Sequence, residues 1–152
     1  MTTNDTTMND TIRRFGYPAT LIAAYRHWLV LLRPEQPTLG SLVVAAIGEE
    51  TAFSDLPAEA FAELRTVVGH VESVLRAAVG YEKINYLMLM MVDPHVHWHV
   101  LPRYEGEREA AGIAIADLGW PKAPQLAGAL ALEPDQVEAL GGWLSAQWPS
   151  AE

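Results

Sequence analysis

His95-Val96-His97-Trp98-His99-Val100-Leu101-Pro102-Arg103 alternates strictly: His95, His97, His99 and Leu101 form one set, and Val96, Trp98 and Val100 the other. A period of two marks a β-strand, whose successive side chains point to opposite faces. The apolar set predicts a face turned to a core, with Trp98 inside it. The other set places three imidazoles in a row. A packed face would leave three polar rings in need of partners, so the histidines are expected to line an accessible cleft. Asp93-Pro94 reads as the turn that precedes this strand. Ile84 to Val92, apolar apart from Asn85, reads as a central strand before that turn.

Further upstream, His27-Trp28-Leu29-Val30-Leu31-Leu32 and Leu42 to Ile47 predict two buried strands, antiparallel neighbours joined by the Pro-bounded loop Arg33-Pro34-Glu35-Gln36-Pro37. Phe61, Leu64, Val68, Val71 and Leu75 recur at steps of three and four, which predicts an amphipathic helix. Ser54 and Asp55 are its N-cap candidates, Pro57 suits its first turn and Gly80 its stop. Glu105 to Glu109 reads as a solvated loop, with one of its acids the expected partner of Arg103. Pro134 to Trp148 predicts a last helix with Leu132, Val137, Leu140 and Leu144 inward. Strands, helix, strands, helix in that order favour an α+β domain with helices covering a mostly antiparallel sheet. Residues 1–14 read as a flexible leader and 15–152 as one domain.

The formal net charge is −9. A groove for DNA or RNA needs a basic surplus to release counterions, so no nucleic-acid polymer is expected as partner. No apolar run is long enough to span a bilayer and no signal peptide is visible, so the expectation is a cytoplasmic protein with no membrane contact. The chain has no cysteine, which excludes thiolate chemistry.

Imidazole titrates near neutrality and serves as nucleophile, base, acid or donor. Alternate strand residues are about 6.6 Å apart and the outer pair about 13 Å. A phosphoryl group with several oxygens fits a row so spaced: the central ring attacks in line while its neighbours donate to oxygens. A metal is the competing reading. Zinc requires ligands at about 2.0–2.1 Å in a tetrahedron, and three residues on one flat strand would have to converge from about 13 Å. Neither a second His-x-His nor a cysteine cluster supplies a remaining ligand, and His27 and His70 stand alone. A purely structural role for the three rings is the other alternative.

The stretch 95–103 resembles the motif of the histidine triad (HIT) family, in which single apolar residues separate three histidines and further apolar positions follow. Arg33 to Val44 resembles the strand-turn-strand that precedes the long helix of that family, and the likeness spans about residues 20–104. The resemblance implies an α+β fold with an antiparallel sheet of about five strands, a long helix and a C-terminal helix. It implies a homodimer acting on small-molecule nucleotides, by hydrolysis of dinucleoside polyphosphates or nucleoside phosphoramidates or by nucleotidyl transfer. By the same resemblance His97 is the nucleophile, His95 and His99 orient it and bind phosphate oxygens, and His99 assists the leaving group. No cofactor is implied, and no metal is held by the triad. Arg33 and Gln36 stand where the family tends to contact ribose. Two departures accompany the match. Ser41 stands where many members have a histidine, leaving a hydroxyl as phosphate donor, and Met91-Val92 replaces a polar residue ahead of the triad. Asn85, earlier on the preceding strand, is the candidate replacement for that lost donor.

Overall fold

Trp28–Leu32 and Leu42–Ala46 contain no charged side chain, and every residue of both is buried. They lie inside one sheet because only a strand covered on both faces tolerates such a run. The computed structural model describes residues 8–150. In chain order its elements are α1 (Asp10–Arg14), β1 (Leu21–Ala24), β2 (Trp28–Leu32), β3 (Glu35–Gln36), β4 (Leu42–Ala46), α2 (Ala58–Val79), β5 (Lys83–Leu87), β6 (His97–Arg103), β7 (Glu107–Ala110), β8 (Ile113–Ala116), β9 (Leu130–Ala131) and α3 (Pro134–Ser145). Five of the strands form an antiparallel sheet in the order β1-β2-β4-β6-β5. The expected α+β class and five-stranded sheet are both present.

The two faces of the sheet are covered unequally. Trp28, Val30 and Leu32 of β2, Leu42 and Val44 of β4 and Val100 of β6 join Val67, Val71 and Leu75 of α2 and Val137, Leu140 and Leu144 of α3 in the large core. Leu29, Leu31, Val43 and Ala45 point the other way, into a smaller cluster closed by Met8 and Ile12. That smaller cluster lies on the histidine side of β6.

Residues 8–14, expected within the leader, form this cover instead; residues 1–7 lie outside the described residues. Met8, Ile12 and Phe15 supply an apolar stripe at spacings of four and three, long enough for one face of a short helix. Asn9 caps α1 by accepting from Ile12 N at 2.9 Å. Its Nδ2 donates to Ala46 O and Gly48 O at 3.1 and 2.8 Å, pinning the helix to the end of β4. A polar residue that reads as leader in sequence is therefore an anchor.

The predicted helix is α2, capped by Pro57, with Ser54 and Asp55 in a preceding 3-10 turn rather than at the cap. Gly80 ends it in the left-handed conformation at φ 68°. Gly40 is also left-handed, and a Cβ there would stand 3.0 Å from Val79 and 3.2 Å from Leu75, so the β3–β4 turn rests directly on the last turn of α2.

Three boundaries differ from expectation. The strand foreseen over 84–92 ends at Leu87, and the histidine strand starts at His97, because the chain between them is irregular, with Met90 at φ 46°. Glu105 to Glu109 is not a loop throughout: Glu107 opens the β7–β8 hairpin, whose buried Ala110, Ile113 and Ile115 join the large core. The last helix stops at Ser145, short of Trp148.

Arg103 turns away from the acids at 105–109 and pairs with Asp117, its Nε and Nη2 donating to Oδ2 and Oδ1 at 2.7 and 3.0 Å. Both side chains are almost wholly buried. Asp117 also accepts from Tyr104 N and Gly119 N at 3.1 and 3.3 Å. Removing one member of a buried, hydrogen-bonded ion pair strands the other charge, at a cost of about 3–5 kcal/mol. Asp117→Ala is expected to lower unfolding stability by about that amount, measured by urea denaturation. The double change Arg103→Met with Asp117→Leu is expected to lose much less.

Candidate active site

Two of the three histidines belong to β6, and both are buried: His97 is 1% and His99 7% exposed. Their backbone is held in the sheet, His97 opposite Ala45 of β4 on one side, and His99 between Val43 of β4 and Leu87 of β5. The side chains therefore share the face that looks toward α1. The two rings meet edge to face with centroids 5.0 Å apart.

His95 stands outside the row, because the regular register begins only at His97. The chain ahead of β6 bends so that His95 meets α1. Thr11 Oγ1 accepts from His95 N at 3.2 Å and lies 2.9 Å from His95 Nδ1. The opposite ring nitrogen, Nε2, is 3.2 Å from the Glu49 carboxylate. A carboxylate only accepts, so Nε2 carries a proton, and whenever the ring is neutral its Nδ1 accepts from the Thr11 hydroxyl. His95 is thus locked by groups from two other segments.

Backbone and guanidinium assign the other two rings. His97 Nδ1 is 2.7 Å from His95 O. A carbonyl oxygen only accepts, so Nδ1 carries the proton and the neutral ring keeps its lone pair on Nε2. Arg33 Nε donates to His99 Nδ1 at 3.2 Å. A guanidinium only donates, so the neutral His99 carries its proton on Nε2. The pair therefore offers one bare nitrogen and one N–H donor. Burial, then the charge of Arg33 and that of His97, lower the His99 pKa to about 4, leaving it neutral at pH 7.

The open cleft expected over the histidines is closed. Phe15 packs against both rings, with centroids 5.4 Å from His97 and 5.6 Å from His99. The covering segment is held by the Asn9 and Thr11 contacts and by an Arg14–Asp93 ion pair at 3.2 Å. Arg14, Phe15, Arg33, Pro34 and Glu35 line a shallow hollow of about 180 Å³ beside this cover. Arg33, which contacts His99, is one of its walls. Sequence reasoning missed Phe15 and Thr11, although the apolar spacing of Met8, Ile12 and Phe15 was a visible sign that the segment packs.

Of the other predicted contacts, the structure brings only Arg33 to the histidines. Gln36 is wholly buried, and its side chain is saturated within the turn: Nε2 donates to Arg33 O and Ser41 O, while Oε1 accepts from Gly40 N and Ser41 N. It has no capacity left for ribose. The Ser41 hydroxyl donates to Thr38 O at 2.8 Å, accepts from Thr38 N and meets Thr38 Oγ1 at 2.9 Å. It fastens the same turn and offers nothing to a phosphate. Asn85 lies opposite Leu101, with its Oδ1 taken by Arg103 Nη1 at 2.8 Å. It does not replace a donor at the triad. Trp98 packs against the large core as expected, its ring edge-on to Phe53. His70 pairs with the Tyr25 hydroxyl at 2.7 Å, away from the triad. Among the described residues no group of three or more His, Asp or Glu side chains is arranged to hold a metal ion.

The HIT domain family model matches residues 24–106. The solved structure of a histidine triad protein from Sinorhizobium meliloti is similar, with 20% identity over 95% of this chain and 99% of that one and a TM-score of 0.71. A histidine triad protein from Bradyrhizobium japonicum gives 18% identity, coverage of 93% and 96%, and a TM-score of 0.70. The diadenosine triphosphate hydrolase of Plasmodium falciparum shares 9% identity over 85% of this chain and 76% of that one, with a TM-score of 0.64. At such identities these likenesses concern the fold. No curated protein matches the chain significantly.

Two outcomes follow from the geometry. Phe15→Ala should raise the rate at which diethylpyrocarbonate modifies His97 and His99 by about tenfold, read by peptide mass spectrometry, because the cover loses its ring. An NMR titration should find His99 changing charge near pH 4, and Arg33→Ala should move that midpoint upward. A histidine whose folded pKa lies below its unfolded value binds fewer protons when folded. Its contribution therefore erodes stability as pH falls from about 6.5 toward 4.

Proposed function

The chain belongs to the HIT domain family, and from that premise we propose that it is a nucleotide hydrolase or nucleotidyl transferase whose nucleophile is His97. The observation that carries this reading is the His97 Nδ1–His95 O hydrogen bond, which leaves Nε2 as the free nucleophilic nitrogen. Nε2 attacks the α-phosphorus of a nucleoside phosphate ester, anhydride or phosphoramidate. The P–N bond forms as the bond to the leaving group breaks, and that group keeps the electron pair. His99, neutral and protonated on Nε2, donates to a phosphoryl oxygen or to the leaving group. Arg33 holds it and adds positive charge beside the developing negative charge. Water or another acceptor then attacks the nucleotidyl-His97 intermediate, releases the nucleotide and restores the ring. His95, fixed by Thr11 and Glu49, supplies the carbonyl that sets the tautomer of His97.

Substrate reaches His97 in this reading only when Phe15 swings aside. The hollow lined by Arg14 and Arg33 is the approach: Arg33 and the Asp93-paired Arg14 offer guanidinium donors to a phosphate there, beside Glu35, before the ring yields. The cover also favours a second reading, a slow or non-catalytic nucleotide-binding protein, because His97 is 1% exposed as the chain stands.

The reading extends to a cytoplasmic homodimer with no cofactor that does not bind nucleic-acid polymers. Among the described residues no helix is long and apolar enough to cross a membrane. The dimer is supported by an unpartnered sheet edge at β5 and by an adjacent apolar hollow of about 230 Å³ lined by Val44, Leu64, Val68, Tyr86 and Trp98. Leu64 and Val68, expected on the buried stripe of α2, are only half-buried in the single chain.

His97→Ala is expected to reduce hydrolysis of a dinucleoside polyphosphate by about four orders of magnitude or more while leaving the fold intact. His99→Ala should cost about a hundredfold. Mass spectrometry after brief mixing should find a nucleotidyl mass on His97. Binding of the compound without that adduct and without turnover would leave the second reading standing in its place. Val68→Asp is expected to shift the sedimentation of the protein from dimer to monomer, and a monomer already in the parent chain would contradict the proposed assembly.

A further inference from the structure

The chain has two lysines, Lys83 and Lys122, and both line the same pocket, a concavity of about 350 Å³ shared with Asn85, Arg103 and Trp120. Lys83 starts β5 opposite Arg103, and Asn85 lies two residues on, opposite Leu101. Cross-strand partners share a face, so Lys83, Asn85 and Arg103 stand on the same side of the sheet as His97 and His99. The segment after β8 brings Lys122 over them. Arg103 Nη2 holds that segment by donating to Lys122 O at 2.7 Å, and Gly119 N ties it to Asp117.

The charges in this pocket do not cancel. Arg103 is neutralised by Asp117. Neither lysine has a carboxylate within 4.0 Å among the described residues, and neither ammonium makes a hydrogen bond there. The chain carries 19 acids against 10 bases, so carboxylates are the most abundant charged partners on offer. Both lysines nonetheless converge on one hollow that contains no free acid. Asn85 gives its Oδ1 to Arg103, which leaves its Nδ2 as an additional unpaired donor. The rest of the lining is apolar, formed by the half-buried Trp120 with Pro121 and Ala123.

We propose that this pocket is a second binding site, for a small phosphate monoester that carries a planar ring. The phosphate dianion matches two ammonium groups and the Asn85 amide. The ring stacks on the Trp120 indole, as planar rings do on exposed aromatic faces. The site is separate from the triad. His97 and Arg103 are six residues apart on one extended strand, about 20 Å, and Leu101 between them is wholly buried. One mononucleotide cannot touch both, so occupancy here is independent of the reaction proposed at His97.

Two lysines make the test direct. The full chain labelled with ε-¹³C-lysine gives two lysine signals, assigned with Lys83→Arg and Lys122→Arg. It is titrated with adenosine 5′-monophosphate, with inorganic phosphate and with adenosine. Both signals are expected to move together on one saturating curve with the monophosphate, about tenfold more weakly with phosphate, and little with adenosine. Trp120→Ala should abolish the preference for the monophosphate over phosphate. The double variant Lys83→Ala/Lys122→Ala should weaken a second calorimetric binding event at least tenfold while turnover at His97 is unchanged. Stationary lysine signals up to about 10 mM monophosphate would overturn the proposal. So would unsaturable movement that sodium chloride reproduces, which marks ionic screening, or movement that follows protein concentration, which marks a second copy filling the pocket.

Discussion

Strand β6 is hydrogen-bonded on both sides, to β4 and to β5, and the rest of the molecule is arranged around that constraint. Pairing on both edges removes any freedom of register, since a slip of one residue would send the imidazoles into the large core and Trp98 and Val100 out of it. The apolar faces of β2, β4 and β6 then accept α2 and α3, and their opposite faces require a second cover. Once the backbone is fixed, the tautomers follow from neighbours that can only accept or only donate: a carbonyl for His97, a guanidinium for His99, a carboxylate for His95. The chemical difference between three identical side chains is imposed from outside the rings.

Much of this was legible in the sequence because it rests on local periodicity. The unbroken apolar runs of β2 and β4, the stripe of Val71 and Leu75 on α2, the stop at Gly80 and the alternation from His97 onward each report a burial pattern within a few residues. What was not legible depends on pairings between distant segments. Arg103 chooses Asp117 over the nearer acids because both are carried into the interior. Asn9 and Thr11 belong to a short polar stretch whose partners, Ala46, Gly48 and His95, lie 37 to 84 residues away. Gln36 and Ser41 illustrate a different limit. Both were read as contacts to ribose or phosphate, but a polar side chain in a turn is either a ligand contact or a brace, and only the accounting of its donors and acceptors decides. Here both are braces.

The balance of forces at the histidines is also uneven. A phosphate would find Arg14 and Arg33 at the surface and the two imidazoles behind them, with a phenyl ring between. Burial keeps His99 uncharged and so preserves it as a donor of fixed direction. The same burial removes water from the neighbourhood of His97 Nε2, where a dry environment strengthens every polar contact made in a transition state. The feature that hides His97 is therefore also one that would sharpen it in the nucleophilic role proposed for it.

The bond between Thr11 and His95 joins residues 84 positions apart. Helix α1 is only five residues long and is held in place by such distant contacts rather than by helical propensity of its own. Its release would be a local opening that leaves the strand pairings of the sheet in place. A molecule one step short of native would have its sheet complete and its imidazoles wet. The boundary between hidden and exposed histidines is, in this chain, the docking of one short helix.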